Sequence, residues 1–287
     1  MKFLKKNKDL LLGLGAFALV ALFAGRLFLF QTFSPGNDRL GPVYALLGVE
    51  GFAEPARPAA DVAGQPWTFE GPFGYYDFAS VRRGLQVYRE VCSTCHSLNY
   101  VAFRNLMEIG YSESSAKALA AEYQVSDGPD DFGEFFQRPG ALTDRFPAPF
   151  PNDKAAAAAN GGRAPPDLSL MAKAREGGPD YIFALLTGFG APPADFVPLS
   201  ALTYYNPYFP GWEILMPSPL FEGQVTFADG TPASVDQMAR DVSNFLMWTA
   251  EPTLPERHRL GFMAVGFLAV FTLLLYLSKK RVWRKLK

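Results

Sequence analysis

Cys92-Ser93-Thr94-Cys95-His96 is the stretch on which the reading of this chain turns. It holds the only two cysteines in 287 residues, and a histidine follows the second directly. Two thiols at this spacing can add to the two vinyl groups of one porphyrin. The adjoining imidazole can then turn under the ring and ligate its iron. Other uses of the pair fit less well. A redox dithiol leaves the histidine unexplained. A zinc site lacks a fourth ligand, because the only other histidine, His258, adjoins an apolar run. A disulfide across two intervening residues is strained. The motif therefore points to one haem c, covalently bound through Cys92 and Cys95, with His96 as an iron ligand. No cysteine is then left to staple the fold.

Working outward, Val81, Leu85, Tyr88 and Cys92 recur at helical spacing, so a helix should deliver the motif, with Asp77 or Ser80 capping its start. Further helices are expected at 113–123, 167–175 and 234–250. The loops between them are heavy in Pro and Gly, and no sheet larger than a short hairpin is indicated. The chain holds 24 prolines, 26 glycines and 26 phenylalanines, its middle is rich in all three, and a buried prosthetic group would hold such irregular backbone together. The expected fold is mainly α, a cytochrome c-like haem domain over 67–255 with long loop insertions.

Both ends carry apolar runs. Leu260 to Ser278 is uncharged and about 19 residues long, close to the ~20 that cross a bilayer as a helix. Lys279, Lys280, Arg281, Arg284, Lys285 and Lys287 follow, which places a 279–287 tail in the cytoplasm and the haem domain across the membrane, in a bacterial periplasm. At the other end, Lys2, Lys5, Lys6 and Lys8 precede the apolar stretch Leu10 to Gly25. Residues 1–33 read as a signal peptide or an uncleaved signal-anchor, with a weak cleavage candidate after Ala53, and residues 34–66 as a linker. Either way the chain beyond is exported. The formal charge of −1 does not suggest a nucleic-acid partner.

The second axial ligand has more than one candidate. His258 lies two residues before the apolar run, Met263 within it, and Met1 at the terminus. Met107 follows His96 too closely to reach the opposite face. Met171, Met238 and Met247 sit in helical patterns that suit core packing. Met216 stands in Leu215-Met216-Pro217-Ser218-Pro219, where proline keeps the chain extended. Position favours Met216, with Met171 next.

A wider set of segments resembles one family. Trp67-Thr68-Phe69-Glu70-Gly71-Pro72-Phe73-Gly74 is similar to the opening of the cytochrome c1 domain. Arg82-Arg83-Gly84-Leu85-Gln86-Val87-Tyr88 and Tyr100-Val101-Ala102-Phe103-Arg104 are similar to the family's haem region. So are Arg138-Pro139-Gly140, Pro165-Pro166-Asp167-Leu168-Ser169, Leu186-Thr187-Gly188 and Tyr205-Asn206-Pro207-Tyr208-Phe209-Pro210-Gly211. Asp229-Gly230-Thr231-Pro232-Ala233 and Ala250-Glu251-Pro252 continue the match, whereas the first ~65 residues show none. The resemblance implies Met216 as the axial methionine, and Arg175 and Tyr181 as partners of the haem propionates. It also implies a subunit of a membrane quinol–cytochrome c oxidoreductase, with cytochrome b beside it. Such a subunit takes an electron from a Rieske iron–sulfur protein and gives it to a cytochrome c, with no catalytic residue of its own.

Two other readings remain from the residues alone. One is a tethered cytochrome feeding a terminal oxidase or reductase, the other a haem-based gas sensor. Between Arg104 and Arg138 the acids Glu108, Glu113, Glu122, Asp127, Asp130, Asp131 and Glu134 face one base, Lys117. That run is either a solvated loop or an acidic surface that steers a basic cytochrome c.

Overall fold

Asp77 opens the first helix, its carboxylate accepting from the amides of Ala79 and Ser80 at the exposed N-terminus. The computed structural model describes residues 57–284 except Asp195 and Leu199, so the expected signal or anchor segment, the linker up to residue 56 and the last three tail residues lie outside the described residues. Helix α1 spans Phe78–Glu90 and runs into a 3-10 turn, Cys92–Thr94; a second 3-10 segment covers Phe103–Ile109. Then come α2 (Glu113–Ala121), the hairpin β1 (Gln124–Asp127) with β2 (Phe136–Pro139), and α3 (Asp153–Ala159). Helices α4 (Met171–Ala174) and α5 (Gly178–Thr187) precede a second hairpin, β3 (Tyr204–Tyr205) with β4 (Glu213–Ile214). Two long helices close the chain, α6 (Val235–Ala250) and α7 (Leu254–Arg284). The fold is mainly helical, with only two-stranded sheets among the described residues.

The helix expected at 167–175 shrinks to Met171–Ala174. Asp167 is engaged elsewhere, its carboxylate accepting from Ser169, Asn99 and Ser97, and that geometry holds the chain in a turn. Periodicity did not flag α3, an alanine run capped by Asn152, or α5, which starts after the left-handed Gly177 with Pro179 in its first turn.

The core forms where α1 crosses α6. Gly84 makes the crossing possible, since a Cβ there would stand 2.0 Å from the backbone oxygen of Asp241. Val81, Leu85 and Tyr88 from α1 meet Met238, Val242 and Phe245 from α6, and Phe103, Leu106 and Ile109 cover them. Next to this apolar layer lies a buried polar knot. Asp241 is fully buried and accepts from Ser80 at 2.6 Å, from the Arg83 guanidinium at 2.8 and 3.0 Å, and from Gln237 at 3.0 Å. Arg83 also reaches Asp229 at 2.8 Å, so the Arg83-Gly84 and Asp229-Gly230 segments meet. A buried carboxylate is tolerable only when its lone pairs are satisfied in this way.

The segment 57–66, read from sequence as linker, lies against this unit. Gly211 donates to the carbonyl of Arg57, Trp212 Nε1 to that of Pro58, and Ala60 donates to that of Pro207. Gln65 N and Trp67 Nε1 both donate to Asp180 on α5, at 2.8 and 2.6 Å. Helix α7 contains the whole expected apolar run and is the one described helix long and apolar enough to cross a membrane. It extends past that run at both ends, and its first residue, Leu254, is buried in the domain.

Candidate functional site

At Val91 the backbone leaves the helical region, and Cys92–Thr94 tighten into the 3-10 turn. Cys95 N and His96 N both bond to Cys92 O, at 3.1 and 2.9 Å. The hydroxyls of Ser93 and Thr94 donate to the carbonyls of Arg89 and Val91, which α1 leaves without helical partners. The turn thus carries two thiols and one imidazole on a short arc. Cys92 packs against the core, and burial pushes its thiol up to about 12.

The imidazole is oriented from a distant segment. His96 Nδ1 stands 2.8 Å from Pro166 O. A carbonyl only accepts, so Nδ1 carries the proton and Nε2 keeps its lone pair, the arrangement a metal-ligating histidine needs. Burial lowers the proton affinity of the ring, against the opposing pulls of Pro166 and Asp167, and favours the neutral form. The two segments are zipped together. Ser97 Oγ and Asn99 N donate to Asp167, both at 2.8 Å, Leu168 N donates to Ser97 O at 2.9 Å, and Tyr100 N donates to Ser169 Oγ at 3.0 Å. Burial alone would raise the Asp167 carboxyl, but the hydrogen bonds from Ser169, Asn99 and Ser97 hold it below the usual range.

Met216 follows β4 by two residues. Its hairpin is fixed by the buried Asn206, whose side chain donates to Leu185 O on α5 and accepts from Tyr208 N, while its amide donates to Trp212 O. Gly211 and Trp212 both take positive φ to close the turn. Among the methionines, Met238 and Met247 are buried in α6, Met171 packs against the core, and Met107 and Met263 are exposed. Met216 is half-buried and outside the core cluster. His258 is placed with Nδ1 3.4 Å from Gly74 O, at the start of α7.

Arg175 caps α4 and is exposed, and Tyr181 lies in the first turn of α5. Burial raises the Tyr181 hydroxyl, and the nearby Arg175 charge opposes it. Arg175 has no carboxylate at ion-pair distance among the described residues; its guanidinium donates only a long bond to Ala174 O. A cation at the end of α4 and a phenol in the first turn of α5 are groups that a carboxylate ligand can use. Sequence reading had missed Pro166 and Asp167 as the orienting wall, Asn206 as the hairpin pin, and the brace at 57–60. Each acts across many residues of sequence through backbone groups or one small side chain.

The family model described as Cytochrome C1 family matches residues 67–286, so the match begins at Trp67 and runs through both hairpins and α7. The chain belongs to the cytochrome c1 family. It is 47% identical over 257 residues to the cytochrome c1 of Rhodospirillum rubrum, covering 84% of this chain and 94% of that one. It is 47% identical over 235 residues to a Solanum tuberosum protein named cytochrome c1-2, heme protein, mitochondrial, covering 82% and 90%. It is 50% identical over 241 residues to a Bradyrhizobium diazoefficiens protein named cytochrome b/c1, covering 77% of this chain but only 35% of that longer polypeptide. In this cytochrome c1 family chain, the residues at the motif fit a haem. The thiols share one turn, Nε2 of His96 has no hydrogen-bond partner among the described residues, and Arg175 has no carboxylate partner among them.

Proposed function

We propose that this chain is the electron-transferring subunit of a bacterial quinol–cytochrome c oxidoreductase. It takes an electron from a Rieske iron–sulfur protein and passes it to a cytochrome c, with cytochrome b as its membrane neighbour. The observation that carries the reading is the Cys92–Cys95–His96 turn with its histidine aimed by Pro166, in a chain of the cytochrome c1 family. Relatives named as heme protein and cytochrome b/c1 support it.

Cys92 and Cys95 would hold one haem c by thioethers, His96 and Met216 would ligate its iron, and Arg175 and Tyr181 would hold its propionates. When bound, the haem supplies a one-electron ferric/ferrous couple. The chain's own contribution is to bind, orient and shield. The Asp167 zipper holds His96 in one tautomer. Phe103, Phe146, Tyr88 and Phe245 form a water-excluding aromatic layer around the end of α1, with Phe103 and Phe146 4.5 Å apart. A thioether as second ligand raises the potential and leaves no position for substrate, which suits a carrier rather than a sensor. Helix α7 would anchor the domain on the periplasmic side of the cell membrane, with its basic end in the cytoplasm.

Acid–acetone extraction of the denatured protein tests attachment: the colour should stay with the polypeptide, and colour in the organic phase would overturn the central assignment. Purification from membranes tests the assembly. A b-type cytochrome and an iron–sulfur subunit should accompany this chain; recovery with an oxidase and without them would favour a tethered donor instead.

A further inference from the structure

The segment Gly71-Pro72-Phe73-Gly74 belongs to the family-like opening of the domain, yet it takes no part in the site around His96. It forms a fixed wedge. Gly71 sits at φ +73°, Gly74 N bonds to Gly71 O at 3.2 Å, and Tyr75 N bonds to Thr68 O at 2.9 Å. Behind it the backbone is so close that a Cβ on Gly74 would stand 2.0 Å from Phe69 O, and Phe69 and Tyr76 on either side are buried. At the tip of this wedge Phe73 is 80% exposed and Tyr75 63% exposed.

The neighbour of Phe73 shows what the wedge is for. Its ring stacks on Phe262 of α7, with centroids 4.9 Å apart and planes 16° from parallel. Phe262 is the third residue of the uncharged run that starts at Leu260, so at about 1.5 Å of rise per residue it lies about 3 Å inside the outer end of that run. A loop of the water-side domain therefore reaches the depth at which the hydrocarbon begins. Only one face of the Phe73 ring is covered by Phe262. The exposed Arg259, one residue before the run, has no ion-pair partner among the described residues and stands where headgroup phosphates would lie. Tyr and Trp concentrate at this boundary because their rings join an apolar body to a polar tip, as Tyr75 does, while the wholly apolar Phe73 ring suits the acyl side.

We propose that the wedge Gly71–Tyr75 is a lipid contact, with Phe73 seated at the boundary between headgroups and acyl chains of the outer leaflet, fixing the height of the domain over the bilayer. The occupant is phospholipid, because the exposed Phe73 ring is stacked on Phe262 of α7 where the uncharged run begins, so its open side adjoins the surface that the run turns to lipid. The proposal goes beyond the electron-carrier reading and rests on α7 crossing the membrane.

The test is nitroxide accessibility in the full-length, haem-bearing chain within its membrane complex. F73C is spin-labelled beside F262C as the reference within the span and F132C as the reference in water, Phe132 being 91% exposed on the β1–β2 loop. The unsubstituted protein gives the labelling blank. Collision rates with oxygen, which partitions into lipid, and with a water-soluble nickel chelate are compared. The expected oxygen-to-nickel ratio at F73C lies within about two-fold of F262C and several-fold above F132C. A ratio matching F132C overturns the proposal, as does shielding from both reagents, which would mean that protein covers the wedge. A water-like ratio at F262C as well would remove the span, and the proposal with it.

Discussion

The ring of His96 and the carbonyl of Pro166 meet at 2.8 Å although 70 positions separate them in the chain. The Cys92–His96 motif is local, but the direction of its histidine is not. Residues 96–100 and 166–169 form a short two-segment zipper, and Asp167 is its centre, holding Ser97 and Asn99 with one oxygen and Ser169 with the other.

Asp167→Ala should therefore loosen the histidine without touching it. Two to three partly buried hydrogen bonds at about 1 kcal/mol each suggest a loss of about 2 kcal/mol. Denaturant unfolding of the haem-bearing protein, followed at the Soret band, measures it. A midpoint equal to that of the parent would show that the zipper does not hold the site.

Met216→Leu should remove the sulfur–iron charge-transfer band and lower the reduction potential, while Met171→Leu, a near volume-conserving change against the core, should leave both in place. Loss of the band in the Met171 variant alone would reassign the ligand.

Gly84→Ala places a methyl group 2.0 Å from the Asp241 carbonyl, and 2.6 Å from Phe245 Cβ, at the crossing of two packed helices. Neither wall can retreat without opening the core, so destabilisation of roughly 3 kcal/mol or more is expected, at the upper end of overpacking effects. Gly64→Ala meets no atom within 4 Å and serves as the control. Equal melting temperatures for the two variants would contradict the crossing geometry.

How much of this was legible beforehand follows from the range of each interaction. Helix α1 could be read because Val81, Leu85 and Tyr88 sit on one face and Asp77 caps it, all within one stretch of chain. The same holds for α6, capped by Ser234, and for the apolar run inside α7. The 167–175 segment was misjudged because its helix-like spacing is overruled by the Asp167 side chain, whose partners near residue 97 no local window contains. The brace from Arg57 to Ala60 is made by backbone groups, which carry no residue-type signal.

Asp229 gives a pH test. Hydrogen bonds from Thr231 first, and then the Arg83 guanidinium, lower its carboxyl to about 2 from an ordinary 3.8. Its folded-state value is the depressed one, so the stabilisation is fully present above about pH 3.8 and is lost as the pH falls through about 2. Asp229→Asn should lower the melting temperature at neutral pH, and the gap to the parent should close progressively between those values. A gap that is constant across the range would show that neither Thr231 nor Arg83 stabilises the fold through the charge of this carboxylate.

The acidic run divides into paired and unpaired charge. Glu113 is matched by Lys117, Glu122 by Arg89, and Asp127 by Arg138, which also holds Asp144. Glu108, Asp130, Asp131 and Glu134 remain without an ion-pair partner among the described residues, and the last three share the loop joining β1 to β2. Beside them Phe132, Phe135 and Phe136 are exposed, at 91%, 73% and 47%. Three uncompensated carboxylates around apolar rings suit a brief encounter with a basic protein, in which long-range attraction sets the on-rate and a small apolar contact sets the stay. Replacing Asp130, Asp131 and Glu134 by their amides should slow electron transfer to a basic cytochrome c at low salt, on the order of several-fold, and flatten the fall of the rate with ionic strength. Asp127 should be left intact, because removing it breaks its pair with Arg138 and leaves that cation to Asp144 alone, which confounds the charge change. Phe132→Ala with Phe135→Ala should shorten the lifetime of the complex and leave the salt slope as it was. Stopped-flow rates across ionic strength separate the two effects. A triple amide variant that keeps the parent slope would place the docking face elsewhere on the domain.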